Sequence, residues 1–202
     1  MNNFDLHTPT RILFGKGAIE NLRDQIPADA RVLVTYGGGS VKKTGVLDQV
    51  LSALNGIDVR EFGGIEPNPS YETLMNAVKI ARDEKITFLL AVGGGSVLDG
   101  TKFIAAAAHY NADSDPWEIL ETYGSKVASA IPMGSVLTLP ATGSESNKGA
   151  VISRKTTGDK RAFMSSHVQP VFAILDPVYT YTLPPRQVAN GVVDAFVHTV
   201  EQ

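Results

Sequence analysis

Asp194 and His198 stand four residues apart in the run Gly191-Val192-Val193-Asp194-Ala195-Phe196-Val197-His198. In a helix that spacing sets a carboxylate and an imidazole on one face. Amid Val192, Val193, Phe196 and Val197 they converge in an apolar surround, where they either bind a divalent cation or simply hydrogen-bond to each other. Two ligands do not complete a metal site, and His7, His109 and His167 supply no second pair. A different chemistry is offered by two runs of bare backbone, Gly93-Gly94-Gly95-Ser96 and Gly37-Gly38-Gly39-Ser40. Where a parallel strand passes into a helix, the first helical amides point outward unpaired, and glycines let an anion approach them with no Cβ in the way. Ser96 is placed to cap such a helix, with Asp99 three residues on completing a capping-box-like pair. The bland alternative is a tight strand–helix turn, and the spacing is neither the usual dinucleotide fingerprint nor a Walker loop. Ala105–Ala108 keep that helix slim against a sheet, which favours a pyrophosphate cradle. The first glycine loop carries no carboxylate to accept two ribose hydroxyls. It offers Ser40, Lys42 and Lys43 instead, which favours a ribose 2′-phosphate and so NADP over NAD, against the alternative of a flexible turn with two solvated lysines.

These residues need elements to position them, and the chain supplies a readable alternation. Arg31–Tyr36 is rich in β-branched residues and reads as a buried strand. Val46–Leu54 fits a short amphipathic helix, and Ile57–Phe62 a second strand. Asn68-Pro69-Ser70 supplies a turn and an N-cap for a helix over Tyr71–Glu84, with Leu74, Ala77, Val78 and Ala81 on one face. Ile86–Val92 is the next strand and Val97–Ala108 the next helix. Such alternation implies right-handed parallel crossovers and a doubly wound, mostly parallel α/β sheet of Rossmann-like kind. Further on, Gly134–Leu139 and Val171–Leu175 read as strands, and Val151–Arg154 and Arg161–Met164 flank a hairpin turn at Thr157-Gly158-Asp159. Leu183-Pro184-Pro185 ends the α/β part. From Arg186 a helix begins that is still running at Gln202, so the expected division is an α/β domain over 1–183 and the first helix of an all-helical domain over 184–202, as in the N-terminal part of a longer protein.

Composition narrows the classes. The 202 residues are 43% hydrophobic and 19% charged with a net charge of −3, an ordinary globular balance with no basic stripe for nucleic acid. The absence of cysteine removes disulfides and thiolate chemistry, leaving His, Asp and Glu as side-chain metal ligands. Met1-Asn2-Asn3-Phe4-Asp5 is polar and holds no signal core, and no apolar run is long enough to span a membrane, so a cytoplasmic location is the expectation.

Taken in order, Thr8-Pro9-Thr10-Arg11-Ile12-Leu13-Phe14-Gly15-Lys16-Gly17, Gly93-Gly94-Gly95-Ser96-Val97-Leu98-Asp99, Pro140-Ala141-Thr142-Gly143-Ser144-Glu145, Leu175-Asp176-Pro177 and Asp194-Ala195-Phe196-Val197-His198 resemble the iron-containing, or group III, alcohol dehydrogenases. The resemblance covers the whole chain and is closest to the bacterial NADPH-dependent aldehyde reductase and butanol dehydrogenase branch. The glycine-loop motif alone is shared with glycerol dehydrogenases and dehydroquinate synthases; the ordered set is more specific. One departure is the short Ala141–Glu145 segment where the family often has a longer one, which bears on the nicotinamide-side contacts.

The resemblance implies that Gly95 and Ser96 serve the pyrophosphate, with Gly94 and Asp99 also in the cofactor site, and that Gly38 and Ser40 serve the ribose phosphate. It implies that Thr138, Thr142, Asn147, Lys160 and Tyr179 line the rest of the cofactor path. Lys160 on its own reads equally as a solvated lysine beside a hairpin turn. Asp194 and His198 are implied as two of four ligands to zinc or iron, the other two being histidines beyond Gln202. The implied reaction is hydride transfer from NADPH to a small aldehyde, or the reverse from an alcohol, with the metal polarising the carbonyl. Competing readings are a dehydroquinate-synthase-like or glycerol-dehydrogenase-like enzyme and a non-catalytic nucleotide-binding fragment, and the chain alone is expected to be inactive. Oligomeric state is not legible, and a homodimer is left open.

Overall fold

The computed structural model describes residues 7–111 and 113–201. The polar Met1–Asp5 segment and Gln202 lie outside the described residues. Among the described residues, eight strands and six helices, with short 3-10 turns between them, follow in the order β1 (Arg11–Phe14), β2 (Arg31–Tyr36), α1 (Ser40–Lys43), α2 (Val46–Ala53), β3 (Asp58–Phe62), α3 (Tyr71–Asp83), β4 (Phe88–Gly94), α4 (Gly95–His109), α5 (Glu118–Glu121), β5 (Met133–Leu139), β6 (Gly149–Arg154), β7 (Asp159–Met164), β8 (Phe172–Leu175) and α6 (Pro185–Val200). Six strands form one sheet in the order β1-β8-β5-β4-β2-β3, all neighbours parallel, and β6 and β7 pair as a separate antiparallel hairpin. The doubly wound expectation holds. No described helix is long and apolar enough to cross a membrane.

Strand alternation decides which core each residue joins. Val32, Val34, Phe88, Leu90 and Val92 face one side, where they pack with Val46, Leu47 and Val50 of α2. Leu33, Leu89 and Ala91 face the other side, against Leu74, Val78 and Ala81 of α3 and Leu98, Phe103 and Ile104 of α4. Helices on both faces are what buries a parallel sheet. Helix α3 begins where the turn chemistry requires: Ser70 is its N-cap, and its side chain accepts from the Thr73 amide. The hairpin lies over α4 and α3, with Ala150, Ile152 and Phe163 in the same core and Phe163 edge-on to Phe103.

Several boundaries move. Strand β4 starts at Phe88 instead of Ile86 and runs to Gly94, and α4 starts at Gly95, two residues before Val97. Helix α6 takes in Pro185, which suits a first helical position that needs no amide donor, and it closes at Val200 with Glu201 as its C-cap. The helix expected to continue through Gln202 therefore ends before it. Strand β1 and the single turns α1 and α5 have no counterpart in the sequence reading.

The connections fix where a ligand can lie. After β2 the chain turns toward β3 on one side, and after β4 it turns toward β5 on the other. The carboxyl ends of neighbouring β2 and β4 are therefore the topological switch point, where open α/β sheets hold their ligands.

Candidate functional site

Both glycine runs sit at that switch point, Gly37–Gly39 leaving β2 and Gly93–Gly95 joining β4 to α4. Gly39 adopts φ 110°, a left-handed conformation that L side chains rarely take, and it starts the turn of α1 with Ser40 exposed as its first residue. Around Gly38 the space is open, with nothing within 4 Å of an added Cβ. At Gly95, by contrast, an added Cβ would meet Thr142 Oγ1 at 2.5 Å, so the loop after β5 lies directly against the glycine loop.

The expected cap of α4 is corrected. Its N-cap is Gly94, and no side chain caps it. Ser96 sits inside the first turn, where its Oγ accepts at 3.4 Å from the Asn68 amide. Asp99 does not reach back to the helix start; it accepts from Ser144 Oγ at 2.7 Å and from the Val151 amide at 3.0 Å. The physical reason is competition, since the loop after β5 and the hairpin offer Asp99 donors that its own helix end does not. Burial raises its carboxyl above the usual value, and those two hydrogen bonds oppose the rise. The helix N-terminus is left free for an anion.

Lys42 lies 4.9 Å over the Tyr36 ring, and Lys42 and Lys43 are both exposed. The hydrogen bond with Tyr36 holds the Lys42 ammonium above its usual value. A carboxylate does stand near this loop. Glu61 of β3 accepts from the Tyr36 hydroxyl at 3.1 Å, a contact invisible in the local sequence because it spans two strands.

Of the remaining expected cofactor residues, Thr138 is half-buried near the end of β5, while Thr142 and Asn147 are exposed on the loop that follows. Asn147 Nδ2 donates to the Thr142 carbonyl at 3.3 Å. Lys160 reaches across to Asn68 Oδ1 at 2.7 Å, two residues from Ser70 and on the same side as Ser96. Tyr179 is 8% exposed in the 3-10 turn after β8, and its hydroxyl donates to Gln49 Oε1 at 3.0 Å. Burial pushes that phenol up to about 12. Tyr179 lines a cleft of about 320 Å³ with Lys16, Thr44, Gln49, Asp176 and Thr182, beside the first glycine loop. A larger cleft of about 430 Å³, lined by His109, Tyr110, Glu118 and Lys126, lies at the far end of α4 and has no part in this edge.

Sequence reasoning missed Lys102. It has no exposed surface and lies about two turns into α4, surrounded by the crossing loop. The available signal was an α4 pattern apolar all round, which leaves a lysine no solvent to reach.

The Asp194–His198 pair is of another kind. His198 Nε2 stands 3.7 Å from Asp194 Oδ1, and the side chains are 71% and 56% exposed. No residue of α6 is buried, so the apolar surround expected of the pair is corrected: Val192, Val193 and Phe196 face outward. A helix supplies only its own side chains, and burial needs a packed neighbour. Among the described residues no three potential ligands cluster. One carboxylate and one imidazole fit two positions of a zinc or iron site.

A family model described as iron-containing alcohol dehydrogenase matches residues 9–177. The chain is 83% identical over 202 residues to the NADPH-dependent aldehyde reductase YqhD of Escherichia coli (strain K12), covering all of this chain and 52% of that protein. A crystal structure of E. coli K-12 YqhD superposes with a TM-score of 0.95 at 83% identity, over all of this chain and 52% of that one. An NADH-dependent butanol dehydrogenase A from Thermotoga maritima superposes with a TM-score of 0.91 at 41% identity, over all of this chain and 51% of that one. The chain thus spans about half the length of the relatives it matches.

Proposed function

The chain belongs to the iron-containing alcohol dehydrogenase family, and from that premise we propose that it forms the NADP(H)-binding part of a metal-dependent reductase acting on small aldehydes in the cytoplasm. The observation that carries the reading is the pair of glycine loops flanking the switch point, with the N-terminus of α4 uncapped by any side chain. Bound NADPH would supply hydride, and a metal ion held in part by Asp194 and His198 would supply Lewis acidity toward a carbonyl oxygen.

The remaining work falls to this chain. The amides and dipole of α4 at Gly94, Gly95 and Ser96 neutralise a pyrophosphate, with no Cβ to hold it away. Gly38 and Ser40, with Lys42 and Lys43 close by, take the ribose 2′-phosphate. Thr138, Thr142, Asn147 and Lys160 orient the nicotinamide half, and Tyr179 closes the adenosine side. Residues 1–183 make the nucleotide domain in this reading. Helix α6, apolar and uncovered along Val192 and Phe196, opens a helical domain that completes the metal site.

Family membership does not choose between the two nicotinamide cofactors, because one relative above is named for NADPH and another for NADH. The choice rests on the Gly37–Ser40 loop, which bears no carboxylate, while Glu61 nearby is engaged by Tyr36. Titrating the full-length protein with NADPH and NADH by nicotinamide fluorescence tests it. NADPH is expected to bind at least about tenfold tighter; equal affinities or a preference for NADH would overturn the assignment.

A further inference from the structure

Helix α4 carries two charged side chains, three residues apart, whose polar atoms are taken up by the segment that follows β5. The Lys102 ammonium has no exposed surface and donates to three oxygens of one short segment: Ser144 Oγ, Asn147 Oδ1 and the Gly149 carbonyl, each at 2.8 Å. Asp99, one turn earlier, takes the Ser144 hydroxyl at 2.7 Å and the Val151 amide at 3.0 Å. Ser144 thus accepts from the lysine and donates to the aspartate. Asn147 Oδ1 also accepts from the Gly149 amide at 3.0 Å, which leaves its Nδ2 turned to the Thr142 carbonyl at 3.3 Å. The segment from Thr142 to Val151 is therefore gripped by α4 at four residues, and Thr142 is held against Gly95.

Burying an ammonium is costly, and an apolar side chain of the same length would fill the space without that cost. Burial pushes Lys102 down to about 8, against the pull of Asp99 on its own helix and Glu145 on the segment. What the charge provides is geometry, because three directional bonds to one loop set its distance and register.

We propose that Lys102 is a positioning residue for the nicotinamide half of the cofactor, clamping the segment 142–149 so that Thr142 and Asn147 face the dinucleotide. The proposal rests on reading the switch-point crevice as an NADP(H) site. Strand order gives the direction: β2 holds the ribose phosphate end, β4 with α4 holds the pyrophosphate, and β5 stands on the far side of β4 from β2. A dinucleotide crossing those ends in order brings its nicotinamide over the loop that Lys102 grips.

The test compares two ligands on the full-length protein, NADPH and 2′-phospho-ADP-ribose, which keeps the phosphates and lacks the nicotinamide. Lys102→Met is expected to weaken NADPH about tenfold or more, the scale of one lost charged hydrogen bond, and to change 2′-phospho-ADP-ribose less than about twofold. Ser144→Ala, a smaller lesion that unlinks Asp99 from Lys102, is expected to show the same split at about threefold on NADPH, and it decides the matter if Lys102→Met does not fold. Equal weakening of both ligands would make Lys102 a structural residue only, and unchanged NADPH binding would remove its role; either overturns the proposal. Wild-type protein that binds neither ligand would instead overturn the cofactor reading on which it stands.

Discussion

The crevice over β2, β4 and β5 and the Asp194–His198 pair are both polar candidates, yet they are held in different ways. In the crevice, Lys102 and Asp99 bind a loop more than forty residues away in sequence through bonds of 2.7–3.0 Å, with Lys102 and Ser144 buried at the centre of the network. On α6, Asp194 and His198 are brought together only by the turn of their own helix, 3.7 Å apart and mostly in solvent. Helical spacing can put two ligands on one face. It cannot desolvate them or add a third, because both need another element packed across that face. The crevice is thus assembled from several elements of this chain, whereas the pair rests on one helix alone.

The comparison breaks or sharpens under substitution. Asp194→Ala or His198→Ala in the full-length protein is expected to reduce bound metal to background and aldehyde reduction by about a thousandfold or more, the scale of losing a central catalytic group. NADPH affinity is expected to stay within about twofold, because no α6 residue touches the crevice in this reading. Metal analysis alongside an NADPH titration checks it; variants with full metal and full activity would reduce the pair to a helix-surface contact worth about 0.5 kcal/mol.

The opposite lesion is Gly38→Asp, placed where an added side chain has open space. It is expected to weaken NADPH about thirtyfold by repelling the 2′-phosphate, to affect NADH only a few-fold, and to leave metal content alone. Competitive fluorescence titration would read it. Equal losses for both cofactors would move the phosphate away from this loop.

A third substitution strains the sheet that supports the crevice. A Cβ on Gly134 of β5 would stand 2.2 Å from Phe172 Cζ, in a ring stacked on Phe88 at 6.0 Å. Gly134→Ala is expected to cost about 1–3 kcal/mol in urea unfolding through overpacking. NADPH binding should weaken along with it, while the metal content of the full-length protein is expected to stay unchanged.

The smallest effect concerns the strap from the hairpin to α3. Burial alone would raise the Glu66 carboxyl, but hydrogen bonds from Lys155, Thr73 and Ser70 bring it down to about 2. A group depressed in the folded state adds stability above its unfolded pKa and loses it as pH falls, here from about 4.5 toward 2. Glu66→Gln should remove that dependence at a cost near neutral pH of about 1 kcal/mol, kept small because Lys155 is 63% exposed. Acid titration of wild type and variant, followed by circular dichroism, checks the window.

By itself the sequence determined the elements whose signals are local. The β-branched Arg31–Tyr36 strand, the Ser70-capped helix, the hairpin around Gly158 and both glycine loops were readable because strand alternation, caps and turns act over a few residues. The same locality made Asp194 and His198 legible as a pair. Tertiary structure alone decided the rest. β1 is a strand only because β8 pairs with it across most of the chain. Asp99 read as a partner for Ser96 and instead serves Ser144 and Val151, since a folded loop offered better donors than the helix end. Lys102 became a buried clamp, and Asp194 and His198 remained in solvent, for one reason: spacing along a helix sets a side chain's direction, while only packing across elements sets what it meets there.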